Sequence, residues 1–121
     1  MAPRARAELR RPLSLSVIHI LLALGDGARH GYAIKQAVEE RSGGEIRLGP
    51  GTLYEAVQRL EDAGYIEETS ARDAPENGQE AQRRYYQLTS EGWDVLRVEL
   101  RHLARLVDDA RANPRLRRAN V

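Results

Sequence analysis

The sequence predicts a mainly α-helical domain with a small β-hairpin, an α+β fold, on three observations. Apolar residues recur at helical spacing in four separate segments, two short runs between the third and fourth alternate as strands do, and Gly, Pro or a capping hydroxyl marks the junctions. At 121 residues the chain is long enough for one hydrophobic core and too short for two.

The first helix is expected from Leu13 to Leu24, where Leu13, Val17, Ile20, Leu21 and Leu24 fall at helical steps and Gly25-Asp26-Gly27 ends the run. A second fits from about Tyr32 to Arg41, with Ile34, Ala37 and Val38 as a narrow apolar stripe and Ser42-Gly43-Gly44 as the stop. The third opens at Pro50-Gly51 with Thr52 and Glu55 in capping-box spacing, carries Leu53, Val57 and Leu60 inward, and closes at Gly64. Tyr54, Glu55, Gln58, Arg59 and Asp62 must then point away from the core.

Tyr65–Ser70 and Gln82–Leu88 read as two strands of a hairpin around a long polar connection with Pro75 and Asn77-Gly78. Alternation in the second strand predicts one tyrosine of Tyr85 and Tyr86 buried and the other partly exposed. Thr89 and Ser90 can cap a last helix that runs to about Ala112, before Pro114. There Trp93, Leu96, Leu100, Leu103, Val107 and Ala110 alternate steps of three and four, the seam of a helix that pairs with another. A helix of that length spans about 33 Å, more than the preceding domain needs, so its far end is expected on a second copy of the chain.

Composition narrows the functions. The chain has no cysteine, which excludes disulfides, zinc-cysteine sites and thiol nucleophiles. His19, His30 and His102 lie in separate elements and fit no metal-ligand pattern, and each is expected to be structural or solvated. Gly49-Pro50-Gly51-Thr52 lacks the lysine of a phosphate loop and reads as turn plus cap. Glu39-Glu40, Glu61-Asp62, Glu67-Glu68 and Asp108-Asp109 read as solvated faces, so neither an enzyme nor a cofactor is expected.

No apolar run approaches the roughly 20 residues of a membrane span. Arg10-Arg11-Pro12 before Leu13–Leu24 imitates an export signal, but Ser14, Ser16 and His19 break the run and no clean cleavage site follows, so a cytoplasmic protein is expected. The formal charge of +1 is unevenly spread. Arg4, Arg6, Arg10 and Arg11 at one end and Arg111, Arg115, Arg117 and Arg118 at the other oppose a single end acid, Glu8, which leaves the middle net acidic. Such ends suit either phosphate contact or plain solvation.

Three helices followed by a two-stranded ribbon make a winged helix-turn-helix, which presents its third helix to DNA. On that helix Gln58 can read adenine, Arg59 guanine or phosphate, and Tyr54 can donate to a phosphate oxygen. Glu55, Glu61 and Asp62 oppose such contact and confine it to the N-terminal half of the helix. A winged-helix protein-interaction module without operator binding stays open as the alternative.

Several motifs in order then resemble the PadR-like transcriptional regulators: His30-Gly31-Tyr32, Gly51-Thr52-Leu53-Tyr54, Arg59-Leu60-Glu61, Gly64-Tyr65-Ile66, and Arg84-Tyr85-Tyr86-Gln87-Leu88-Thr89 with Gly92. The resemblance runs from about Leu13 to Ala112 and looks like the small subgroup with a single C-terminal dimerisation helix. With the charge count and the element order it gives a basic arm over 1–12, a winged helix-turn-helix domain over 13–88, a dimerisation helix over 89–112 and a basic tail over 113–121. It further implies a homodimer on a near-palindromic operator in double-stranded DNA, acting as a repressor. Tyr32, Thr52, Tyr54 and Arg59 match positions that support or contact DNA in such proteins. Arg83 and Arg84 stand where the ribbon returns and can meet phosphates, although Asp73, Glu76 and Glu80 make the wing longer and more acidic than is usual. Such regulators respond to small aromatic molecules, and Trp93 is the residue for stacking on one at the dimer interface, where Trp93, Leu96, Leu100, Leu103 and Val107 would meet their counterparts.

Overall fold

A computed structural model describes residues 9–70 and 84–117. Helix α1 (Leu15–Leu24) begins where Ser14 caps it, its side chain accepting the Val17 amide. Strand β1 (Arg29–His30) leads into helix α2 (Gly31–Arg41), and the His30 imidazole caps α2 by accepting the Ala33 amide at 3.1 Å. Helix α3 (Pro50–Asp62) follows, then strands β2 (Ile66–Thr69) and β3 (Tyr85–Leu88), the long helix α4 (Ser90–Arg111) and a short helix α5 (Pro114–Arg117) at the start of the basic tail.

Four sequence expectations are corrected here. The capping box does not form: α3 starts at Pro50 with Gly49 as its cap residue and no side-chain cap hydrogen bond. Proline's fixed φ suits the first helical position, so the helix begins three residues earlier and Thr52 and Glu55 lie inside it, exposed. The sheet has three strands, ordered β1-β3-β2 and all antiparallel, instead of two. β3 is therefore central, and Tyr85 and Tyr86 are both buried, one on each face. The His30 ring, carried beside β1, meets the Tyr85 ring edge-on at 5.3 Å and covers it. The strand cores are shorter than expected, and the connection with Asn77-Gly78 lies outside the described residues.

One core joins every layer. Ile18, Ile20, Leu21 and Leu24 of α1, Ile34 and Val38 of α2, and Leu53, Val57 and Leu60 of α3 pack with Ile66, Tyr86 and Leu88 of the sheet. Leu96 of α4 closes it, and Leu103 packs partly against it. The stripe on α4 thus serves two masters: Gly92, Leu96 and Glu99 are buried within the chain, while Trp93 and Leu100 on the adjoining face stay exposed.

α3 ends in a paired-carbonyl turn. The Tyr65 amide donates to the Leu60 carbonyl and the Gly64 amide to the Glu61 carbonyl, with Gly64 at φ +82°, where a Cβ would be strained. The start of α4 is bolted onto this turn: the Thr89 hydroxyl donates to the Gly64 carbonyl at 2.6 Å, the Thr89 amide to the Tyr65 carbonyl, and Thr89 Oγ1 accepts the Gly92 amide. A Cβ at Gly92 would overlap the Tyr65 carbonyl oxygen, so only glycine lets the two segments approach.

Two substitutions test this packing by chemical denaturation. Gly92→Ala should destabilise the protein by about 1–3 kcal/mol or more, because backbone has to move and no flexible side chain can yield. Glu99 is only 2% exposed and receives Arg11 Nε at 3.0 Å, so Arg11→Ala should cost about 1–3 kcal/mol by leaving a buried carboxylate without its donor.

Candidate nucleic-acid interface

α3 buries Leu53, Val57 and Leu60 and so turns Thr52, Tyr54, Glu55, Gln58, Arg59 and Asp62 to solvent, as the helical period requires. Tyr54 is 59% exposed, and its ring lies over the buried Gly31 at the start of α2. Tyr32, in the first turn of α2, is 55% exposed, so it does not plug the core. Its ring has Lys35 Nζ 5.9 Å from the centroid. Arg59 makes no side-chain hydrogen bond or ion pair among the described residues. Gln58 is engaged, donating to Asp62 Oδ1 at 3.1 Å one turn along, and must leave that partner to reach a base.

Arg84 flanks α3 from the wing, exposed, with Nε 3.7 Å from Glu68 Oε1 on the paired strand. Arg83 lies outside the described residues. The structure therefore brings Tyr32, Tyr54, Gln58 and Arg84 around one cleft of about 500 Å³, with His30, Gly31, Val57, Glu61 and Tyr86 completing its lining. Thr52 and Arg59 lie outside this lining, exposed on the same helix.

Sequence reasoning placed Glu61 on a solvated face, and that is corrected. The side chain is half-buried in the cleft wall, and burial, then the nearby Glu68, push its carboxyl above the ordinary glutamate range. Burial, with Glu61 and Glu68 close by, likewise pushes the Tyr86 phenol up. The available signal was the spacing of Tyr54, Val57, Gln58 and Glu61, which puts all four on one edge of the helix.

The dimerisation candidates divide. Leu96 is buried in the chain's own core and Leu103 and Val107 are partly covered, whereas Trp93 is 39% and Leu100 37% exposed. Leu106, outside the expected seam, is 64% exposed. The Trp93 indole rests against Gly25 at the end of α1. His102 is exposed on α4, and no group of side chains among the described residues could hold a metal ion. No helix among those residues is long and apolar enough to cross a membrane.

Residues 20–98, most of the chain, match the transcriptional regulator PadR-like family. The chain belongs to that family. PadR-like proteins are transcriptional regulators and not enzymes, and the winged-helix architecture is shared with solved members. A PadR family transcription regulator from Clostridium difficile R20291 superposes with a TM-score of 0.65 at 26% identity, covering 82% of this chain and 96% of that one. Bacillus subtilis PadR, solved in complex with operator DNA, has the same fold with a TM-score of 0.59 at 24% identity, over 72% of this chain and 47% of that one. An uncharacterized 37.1 kDa protein in transposon TN4556 of Streptomyces fradiae is 42% identical over 87 residues, which are 72% of this PadR-like chain and 22% of that protein. The chain thus matches only about a fifth of that curated relative's length.

The raised Glu61 has a definite pH signature. The folded state holds this proton more tightly than the unfolded chain, so its stabilising contribution is complete below the ordinary glutamate pKa and is lost as pH rises through the raised value. Glu61→Gln should therefore raise the urea midpoint at pH 7, with the gain vanishing below about pH 4.

Proposed function

We propose that this PadR-like protein is a repressor that binds a near-palindromic operator as a homodimer, each copy seating α3 in the major groove of double-stranded DNA. The observation that carries the proposal is the outer face of α3, where the side chain of Arg59 is unpaired among the described residues and Thr52, Tyr54 and Gln58 stand exposed, backed by a fully buried inner face. Arg59 has the fork that reads guanine, and Gln58, once released from Asp62, the amide that reads adenine. Thr52 and Tyr54 offer hydroxyls, and Tyr32 a third, at the end of α3 where the helix dipole favours phosphate. Arg83 and Arg84 would follow the backbone from the wing, and the arginines of the 113–121 tail and those of the 1–12 arm other than Arg11, which holds Glu99, would add phosphate contacts that the acidic middle cannot supply. A DNA target puts the work of the protein in the cytoplasm.

Dimerisation fits α4. Trp93, Leu100 and Val107 recur every seven residues beside the face that Leu96 and Leu103 turn to their own core, so a second copy can cover them. An aromatic effector stacked on Trp93 in that interface would release the DNA.

Fluorescence anisotropy with duplexes from upstream of the chain's own gene and a scrambled control, at two salt concentrations, tests the DNA reading. Binding should weaken with salt on a falling logarithmic slope yet remain tighter for one sequence. Absence of any salt-dependent DNA affinity would favour the protein-interaction module, which the carboxylates Glu61, Asp62, Glu67 and Glu68 around the C-terminal end of α3 would suit. Arg59→Ala should cost about 1–3 kcal/mol of binding and relax the base preference at one position of each half-site. Leu100→Glu combined with Val107→Glu should convert dimer to monomer in sedimentation equilibrium while the far-ultraviolet spectrum of the fold is retained.

A further inference from the structure

The cleft between α3, the start of α2 and the wing has an inner wall, Val57, Glu61 and Tyr86, that DNA recognition does not use. Its volume of about 500 Å³ is that of a small-molecule site. Tyr32 and Tyr54 supply exposed rings at its mouth, Tyr86 a buried one, and Val57 an apolar patch. Among the described residues Glu61 and Arg84 are the acid and the guanidinium of its lining, and Glu68 and Asp62, outside the lining, stand close enough to raise the Glu61 carboxyl. Arg84 Nε lies 3.7 Å from Glu68, and no hydrogen-bond donor or ion-pair partner reaches the Glu61 carboxylate among the described residues. The sequence gives Glu61 no partner one turn back, since Val57 and Gln58 occupy those positions and Gln58 donates to Asp62.

We propose that this cleft is a receptor for a small planar aromatic cation, an aryl amidine, whose ring lies among Tyr32, Tyr54 and Tyr86 and whose N–H groups pair with Glu61. Each ligand class meets a different fate there. An anion faces Glu61, and Arg84 in the lining is already turned to Glu68. A neutral arene fills the aromatic space but leaves a half-buried carboxylate without a donor, which costs more on closing than it does open to water. A planar cation supplies both the charge-assisted hydrogen bonds and the positive charge that tyrosine faces attract. Tyr32 already makes the second interaction within the chain, with Lys35 Nζ 5.9 Å from its ring centroid.

Occupation of the cleft has a consequence that rests on the DNA-binding reading above. Tyr54 and Gln58 belong both to the cleft and to the face assigned to the operator, so a ligand held against them and the operator compete for the same side chains. This site is distinct from an effector site at Trp93, which does not line the cleft.

The test uses the full chain and 4-aminobenzamidine as probe, with binding followed by probe fluorescence and by calorimetry in the absence of DNA. Saturable binding is expected, with benzoate and the uncharged 4-aminobenzamide at least tenfold weaker. Glu61→Gln, which keeps the shape and removes the charge, should weaken the probe by tenfold or more, and Tyr32→Ala should weaken it by a smaller factor. Equal affinity of wild type and Glu61→Gln, or equal binding of the amide and the amidine, overturns the proposal. In a second arm, saturating probe should lower the affinity for a duplex already shown to bind, and Glu61→Gln should remove that effect. An undiminished duplex affinity with the cleft saturated overturns the competition. Failure of every duplex to bind without probe is a failure of the DNA reading, and the first arm separates it from failure of the cleft.

Discussion

The architecture hangs on one close approach. Gly92, in the first turn of α4, lies so near the Tyr65 carbonyl that a methyl group would collide with it, and Thr89 fastens the same place with a hydroxyl to Gly64 and an amide to Tyr65. The turn at Gly64-Tyr65 is itself the terminus of α3 and the entry to β2. Recognition helix, wing and long helix are therefore referenced to three consecutive backbone groups. A displacement of α4 has little slack to absorb it there, because backbone and not side chain makes the contact. This gives physical meaning to the motifs Gly64-Tyr65-Ile66 and Leu88-Thr89 with Gly92: they are the two halves of one joint.

α3 carries two opposed electrostatic halves. Its first turn holds no acid, begins at Pro50 and exposes the Thr52 hydroxyl, and Tyr54 and Arg59 follow around the single acid Glu55, which suits a polyanion at the positive end of the helix dipole. Its last turn holds Glu61 and Asp62, with Glu67 and Glu68 on the adjoining strand. A phosphate backbone lying along the whole helix would meet repulsion over that second half. The cleft of Glu61 and Tyr86 lies beside that second half.

The long helix shows how one apolar stripe divides between two tasks. Its buried positions, Gly92, Leu96 and Glu99, attach it to its own domain, and Arg11 satisfies Glu99 from the far end of the chain. Trp93 and Leu100 sit about a quarter turn away and stay in water. Because Glu99 is held by Arg11, the start of the described chain is fastened to the same helix that exposes Trp93 and Leu100.

The sequence by itself determined the element order, the inward triplet Leu53, Val57 and Leu60, the left-handed Gly64 and the seven-residue recurrence on α4. Each of these is a local or periodic property, set by φ preference or by 3.6 residues per turn, and needs no knowledge of what lies opposite. Motif order also carried the family. The tertiary structure decided what periodicity cannot encode: that two residues, Arg29 and His30, form a strand, that both Tyr85 and Tyr86 are consequently buried, and that Glu61 and Glu99 leave the solvent. A two-residue strand has no period to detect, and a carboxylate on a helix reads as solvated until another element arrives over it. Pro50 shows a contest between two local signals: a capping box and a proline both claimed the start of α3, and the fixed φ of proline prevailed once Gly49 took the cap position. Fold and family were legible because they rest on local preference repeated along the chain, and the cleft was not, because it exists only where α2, α3 and the wing meet.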